Sequence, residues 1–170
     1  AGLTRSKNSI NVAIKNITDL GISVVCFWAF GFAIMFGSTH SGWFGADHFF
    51  APVGQGDAWF GTFFLFQLMF CSTAVTILSG AVAERVHFSA YIVACVVVNL
   101  MVYPVFGHWA WGGAYEGAPG WLAALGFVDF AGSSVVHSVG GWVSLALLLV
   151  VGARTGQFAA DGTIRPIPGH

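Results

Sequence analysis

Charged side chains are scarce in this sequence. Asp, Glu, Lys and Arg make up 8% of its 170 residues, against about 25% in an ordinary soluble domain. Hydrophobic residues make up 56%, and the mean hydropathy is +0.79. This composition excludes an ordinary soluble domain and predicts a membrane protein in contact with the lipid bilayer. The net charge of −1 gives no basis for a nucleic-acid partner.

Residues for metal, disulfide or catalytic chemistry are also few. Cys26, Cys71 and Cys95 each lie in an apolar run without CxxC or CxxH spacing, which is typical of small core residues. The sequence contains no HExxH motif, no Walker motif and no GxGxxG turn. We therefore expect no metal, no cofactor and no enzymatic activity.

Four long apolar runs dominate what remains. They cover residues 20–37, 58–83, 88–107 and 130–153, and none contains Asp, Glu, Lys or Arg. A helix needs about 20 apolar residues to cross the hydrocarbon core, whereas barrel strands alternate over about ten residues. The sequence therefore predicts an all-α membrane protein, with four transmembrane helices bundled in one domain over residues 1–170 and no second domain.

The basic residues predict how this bundle lies in the membrane. All six fall before the first run, between the second and third, or after the fourth: Arg5, Lys7, Lys15, Arg85, Arg154 and Arg165. Lys and Arg accumulate in cytoplasmic segments. We therefore expect both ends of the chain to be cytoplasmic in a plasma or inner membrane, with the connections 38–57 and 108–129 facing outwards.

One histidine, His137, lies well inside the fourth run. Counting from Asp129 places it about 12 Å below the outer end of the helix, at 1.5 Å per residue. Ionisable residues at membrane depth usually face a bundle interior or a pathway, which favours a functional site over a neutral imidazole bonded to another helix. His87 and His108 lie at the run boundaries, which argues against a haem between paired histidines.

Three further features have both a structural and a functional interpretation. Asp129 starts the fourth helix, where a carboxylate caps free N–H groups or attracts a cation to the outer mouth, and the two roles are compatible. Phe66 and Phe70 share one helix face at i, i+4 spacing, an arrangement that usually serves packing. Trp111 offers an aromatic face that can hold a cation, or anchors the chain at the interface.

Several segments, in this order and spacing, resemble the ammonium transporter family (Amt/Mep/Rh). They are AGLTRSKN, FQLMFC, GAVAERVHFSAY, YPVFGHWAWGG and DFAGSSVVHSVGG. The resemblance extends over nearly the whole chain and identifies the four runs as family helices two to five. It implies a partial Amt fold, most of one half of an inverted repeat, so we expect a fragment of a homotrimeric transporter. The connection before Asp129 looks longer than is usual in the family.

The resemblance also implies roles for individual residues. Trp111 matches the tryptophan of an outer ammonium site, Phe70 matches one of two phenylalanines that close the pore, and Phe66 supports it. Asp129 matches a buried aspartate on which the outer site depends, and His137 matches the first of two pore histidines. The implied function is transport of ammonium and ammonia through an aromatic-gated, histidine-lined pore. The partner phenylalanine, a serine of the outer site and the second histidine would belong to the other half.

Other interpretations stay open. An ammonium sensor would use the same fold coupled to a cytoplasmic signalling domain, and the pore residues barely distinguish it from a transporter. A structural membrane protein, in which His137 only joins helices, is a third interpretation. A cytoplasmic regulatory protein is a further possible partner under the first two.

Overall fold

A computed structural model of the chain describes residues 4–39, 41–54 and 58–167. Four helices are long and apolar enough to cross a membrane: α1, Ser6–Phe36; α2, Ala58–Ala81; α3, Phe88–Ala114; and α4, Ser133–Val151. A short helix, Trp121–Ala124, lies in the connection before α4. Within the described ranges the only β pairing is an isolated bridge between Phe158 and Ile164. The expected all-α bundle is therefore confirmed.

The helix bounds differ from those of the apolar runs. α1 begins at Ser6 rather than near residue 20, and α3 continues to Ala114 rather than ending near residue 107. Helical hydrogen bonds join backbone groups, so a helix does not have to end where apolar side chains end. As a result, Lys15 and Asp19 lie inside α1, where both are buried.

The helices pack side by side with alternating direction. α1 packs against α2 and α3, and α2 also packs against α4. The start of α1, the α2–α3 turn and the end of α4 meet at one end, because Arg5 N–H donates to Glu84 Oε1 and Arg85 Nη1 donates to Gly152 O. We call this the basic end, since it holds the six Lys and Arg residues. The helix ends near Phe36 and Trp111 form the opposite end.

Three of the helices contain a π-helical turn, at Phe27–Gly31, Val98–Val102 and Ser133–Ser138. The turn at Val98–Val102 directly precedes Pro104, whose ring would clash with the carbonyl four residues earlier in a regular helix. A wider turn relieves that clash and lets α3 continue. The first two π turns contact each other, and a Cβ at Gly31 would come within 3.2 Å of Asn99 O, so α1 and α3 approach most closely here.

A cluster of tryptophans covers part of the opposite end. The rings of Trp43, Trp109 and Trp121 lie 5.4–5.7 Å apart. Trp109 Nε1 donates to Trp43 O at 2.9 Å, and the backbone N–H of Trp121 donates to Gly42 O at 3.1 Å. These bonds attach the connection between α1 and α2 to the end of α3 and to the connection that follows it.

Candidate functional site

The carboxylate of Asp129 organises the start of α4. Its Oδ1 accepts the backbone N–H groups of Gly132 and Ser133 at 2.8 and 3.0 Å, and its Oδ2 accepts those of Ser134 and Val135 at 2.8 Å each. The first N–H groups of a helix have no partner within the helix, and one side chain here binds four of them. The capping role expected for Asp129 is therefore present.

Asp129 is 9% exposed and remains a carboxylate at neutral pH. Burial by itself would raise its pKa, but the backbone donors at positions 132–135 outweigh burial and hold the pKa below its ordinary value. Hydrogen bonds to the charged form of a carboxyl group favour that form. The site therefore contains a fixed negative charge near the entry of α4.

Trp111 is held against this cap. Its Nε1 donates to the backbone oxygen of Asp129 at 2.6 Å. Gly132 adopts φ +87°, and a Cβ added there would lie 2.5 Å from Val136 Cγ2 and 3.3 Å from Trp111 Cη2. Only glycine therefore fits the turn, because both the left-handed backbone and the limited space exclude a side chain. The indole ring is half-buried, and its hydrogen bond to Asp129 O fixes its orientation.

Two phenylalanines of α2 extend the row of aromatic rings that begins at the Trp111 indole. The ring centroids of Phe70 and Trp111 are 5.9 Å apart, and those of Phe66 and Phe70 are 4.8 Å apart in an edge-to-face arrangement. Phe70 is partly buried, whereas Phe66 is 59% exposed. The i, i+4 pair therefore extends from the indole towards an open face of the bundle.

His137 lies one turn into α4 with one ring nitrogen already bonded. Its Nδ1 is 3.0 Å from Gly132 O, and because a carbonyl only accepts, Nδ1 carries the hydrogen. In the neutral ring Nε2 is then an acceptor, and no described residue bonds to it. The exposed imidazole borders a cavity of about 420 Å³ together with Ser133, Ser138 and Trp142.

The expected depth of His137 needs correction. The helix starts at Ser133, because the Asp129 carboxylate replaces the first turn, so His137 lies roughly 6 Å from that start at about 1.5 Å per residue. The imidazole also bonds within its own segment and not to another helix. All five predicted site residues nevertheless lie along one series of contacts, in which Gly132 joins Asp129 to His137: Phe66, Phe70, Trp111, Asp129, Gly132 and His137.

The structure contains a buried polar cluster between α1, α2 and α3 that was not predicted from the sequence. Asp19 is 1% exposed, and its Oδ2 accepts the hydroxyls of Tyr91 at 2.5 Å and Thr76 at 3.2 Å. Lys15 Nζ donates to Val86 O at 3.2 Å and lies 5.3 Å from the centre of the Tyr91 ring. The sequence contains one signal for this cluster, because Lys15 and Asp19 are spaced i, i+4 and therefore share a helix face. A search for long apolar runs does not detect such a pair.

A further buried polar contact joins α2 and α3. Asn99 Nδ2 donates to Cys95 O at 2.8 Å, and Asn99 Oδ1 accepts the thiol of Cys71 at 3.0 Å. Gln67 Oε1 is buried and has no hydrogen-bond partner among the described residues. Cysteine and asparagine thus form the polar contact between α2 and α3.

Known proteins resemble this chain in sequence and in fold. The model of the Ammonium Transporter Family matches residues 1–170. A Synechocystis sp. relative is 56% identical over 99% of this chain and 32% of its own length. Ammonium transporter Amt2 of Archaeoglobus fulgidus is 41% identical over 100% of this chain and 37% of its own. The chain therefore spans about a third of the length of these curated relatives.

Solved structures also have the same fold as this chain. A structure named Sensor Amt Protein superposes with a TM-score of 0.91 at 43% identity, over 98% of this chain and 42% of that one. Mep2 of Candida albicans gives 0.69 at 27% identity, over 81% of this chain and 31% of that one. With four apolar helices and relatives named as transporters, this is a multi-pass membrane protein. The chain belongs to the Ammonium Transporter Family.

Proposed function

We propose that this chain forms part of a transmembrane pathway for ammonium and ammonia. The observation that supports it best is the series of contacts from Phe70 through Trp111, Asp129 and Gly132 to His137, in a chain of this family. An aromatic cation site, a fixed carboxylate and a hydrogen-bond acceptor follow one another along it. These are the groups that recruitment and deprotonation of ammonium require.

Recruitment takes place at the opposite end of the bundle. The faces of Trp111 and Phe70 attract a cation by about 0.5–2 kcal/mol each, depending on desolvation. The Asp129 carboxylate attracts the cation through its electric field and not through contact, because each of its two oxygens already accepts two backbone N–H groups. Its second role is to position the indole through its backbone oxygen.

Passage requires the proton to leave the cation. A bare ammonium ion in an apolar lumen would lose its hydration, at a cost of tens of kcal/mol in the idealised limit, whereas neutral ammonia crosses at far lower cost. His137 suits this step because Nδ1–H is committed to Gly132 O, which leaves Nε2 to accept the proton of the cation. Neutral ammonia then moves on, and the ring becomes an imidazolium that passes the proton onwards along the pathway. Phe66 and Phe70 separate this lumen from the outer site as a gate.

The remaining parts of the proposal concern assembly and orientation. The basic end faces the cytoplasm, since all six Lys and Arg residues lie there and such residues accumulate on that side. The open face that carries Phe66 and His137 is completed by a second half of the fold, with a second phenylalanine and a second histidine. The complete protein is a homotrimer, and its cytoplasmic face is the surface available to a regulatory protein.

The test is uptake of methylammonium by cells that express the protein. We expect His137→Ala and Asp129→Ala each to alter the uptake rate or its ion selectivity by tenfold or more, because each removes a group from the pathway. His87→Ala is the matched control, since His87 is exposed at the basic end. Unchanged rate and selectivity in both site variants would disprove the site assignment.

An ammonium sensor is the second candidate function. It is favoured by the similarity to the structure named Sensor Amt Protein, whose helices match this chain more closely than those of Candida albicans Mep2 do. A sensor predicts ammonium binding without flux. The uptake assay distinguishes the two when it is combined with isothermal titration of the purified protein, because a binding signal that needs Trp111, without any uptake, supports the sensor.

A further inference from the structure

A cavity of about 360 Å³ lies at the basic end, away from the candidate site. Its lining combines guanidinium groups with apolar side chains and one amide. The residues are Arg85, Arg154, Arg165, Ile164, Pro166, Ile167 and Gln157. This combination of charge and apolar surface has no role in the pathway described above.

Arg85 is fixed in this cavity with donor capacity left over. Its Nη1 donates to Gly152 O at 3.1 Å, which ties it to the end of α4. This bond uses one of the five N–H donors of the guanidinium group, and Arg85 lines the cavity. The group therefore offers its positive charge and further donors to an oxyanion that enters the cavity.

The positive charge of the cavity is only partly compensated. Arg154 lies 3.6 Å from Glu84 Oε2, but no described carboxylate lies within ion-pair distance of Arg85 or Arg165. Three arginines therefore face one carboxylate, which leaves two positive charges. Guanidinium groups match planar and tetrahedral oxyanions, to which they donate two hydrogen bonds at once.

Ile164 and Arg165 of this lining belong to a small hairpin that carries exposed apolar side chains. Phe158 and Ile164 pair across this hairpin, and they are 50% and 71% exposed. Arg165 N–H donates to Gln157 O at 2.7 Å, which holds the arginine at the base of the hairpin. The hairpin follows the end of α4 at Val151, and Arg85 and Arg5 bind the intervening residues Gly152 and Thr155, so these side chains lie at the basic end.

We propose that this cavity binds the phosphate group of an anionic phospholipid. The phosphodiester accepts from the guanidinium groups of Arg85 and Arg165, and Phe158 and Ile164 contact the upper part of the acyl chains. A free inorganic phosphate would use the arginines but not the apolar side chains. The negative surface of a cytoplasmic leaflet attracts basic residues near the membrane, so the site is stronger in such a leaflet.

The experiment measures thermal unfolding of the purified protein in uncharged detergent at constant ionic strength. Short-chain phosphatidylglycerol, short-chain phosphatidylcholine and inorganic phosphate are titrated separately. We expect phosphatidylglycerol to raise the unfolding temperature in a saturable manner, with little response to the other two. Arg165→Gln is expected to weaken the apparent affinity about tenfold, as loss of a charged hydrogen bond does, and Arg85→Gln is expected to do the same.

Lys7→Gln is the matched control, because Lys7 is exposed at the same end and does not line the cavity. It should leave the affinity unchanged within about twofold. Equal losses in Lys7→Gln and Arg165→Gln would overturn the proposal in favour of a diffuse basic surface. An equal response to inorganic phosphate would overturn the lipid assignment, and no response to phosphatidylglycerol would overturn the site. Because binding is measured without transport, these results do not depend on uptake.

Discussion

A single residue, Asp129, has two roles that can be tested separately. Its side chain binds four N–H groups at the start of α4, and its backbone oxygen holds the indole of Trp111. Substitution of the side chain removes the cap directly, whereas the indole responds only if the backbone then moves. Position 129 therefore links the order of the helix start to the geometry of the aromatic site.

Asp129→Asn tests this link. An amide offers one acceptor oxygen in place of two, so the N–H groups of Ser134 and Val135, or those of Gly132 and Ser133, lose their partner. We expect hydrogen exchange over residues 132–135 to accelerate about tenfold or more, which corresponds to roughly 1.4 kcal/mol of local opening. Exchange in the middle of α2 serves as the internal control. Unchanged protection in the variant would show that the cap does not hold the helix start.

At the scale of the element, α1 shows most clearly what the sequence could predict. Its apolar second half was recognised by composition, and the all-α bundle followed from four such runs. Its first half was not recognised, because Lys15 and Asp19 are polar and their burial depends on Tyr91, Thr76 and Val86 in other helices. A linear pattern contains no information about such partners.

The site shows the same division between local and tertiary information. Asp129 as a cap and Phe66–Phe70 as a pair are local patterns, and the structure contains both. The bond between His137 and Gly132 O was beyond prediction, because it requires the π-helical turn at Ser133–Ser138 and the left-handed backbone at Gly132. The resemblance to a family predicted which residues form the site, and the structure shows how the helix start orients them.

Tyr91 provides a test of how much the buried cluster stabilises the packing of α1 on α3. Tyr91→Phe removes the donor to Asp19 Oδ2 and leaves a buried acceptor short of a partner. We expect the free energy of unfolding to fall by about 1–3 kcal/mol, measured as a lower unfolding temperature in detergent. Asp19 retains the weaker bond from Thr76, so the fold itself should persist.

Tyr103→Phe is the matched control for that substitution. Both tyrosines are fully buried, but the hydroxyl of Tyr103 has no hydrogen-bond partner among the described residues. Its removal is therefore expected to be neutral or slightly stabilising. A larger loss for Tyr103→Phe than for Tyr91→Phe would contradict the importance assigned to the Asp19 cluster.

At the scale of the whole molecule, Glu84 joins the three parts of the chain that meet at the basic end. Its Oε1 accepts from the backbone of Arg5 at 3.1 Å and from Asn8 Nδ2 at 2.5 Å, and its Oε2 lies 3.6 Å from Arg154. Arg5 also donates to Thr155 O at 2.7 Å. The turn residue thereby connects the start of α1 with the segment that follows α4, the segment that leads into the proposed lipid cavity.

This connection should depend on pH. Burial by itself would raise the pKa of Glu84, but the bonds from Asn8 and Arg5 and the charges of Arg5 and Arg154 outweigh it, so the pKa is lowered. A carboxyl group whose folded pKa is depressed stabilises the fold above its unfolded pKa, about 4.3 for Glu. That stabilisation is lost as the pH falls below this value and through the folded pKa.

We therefore expect hydrogen exchange over residues 152–157, corrected for intrinsic rates, to be slow at pH 7 and to accelerate as the pH is lowered below about 4. Glu84→Gln should exchange faster already at pH 7 and lose most of this pH dependence, because the amide has no charge for Arg154. The middle of α2, far from Glu84, reports any general effect of acid on the bundle. If Glu84→Gln kept the wild-type protection and pH profile, residues 152–157 would be held by Arg5 and Arg85 alone. The lipid cavity would then form independently of the Glu84 carboxylate.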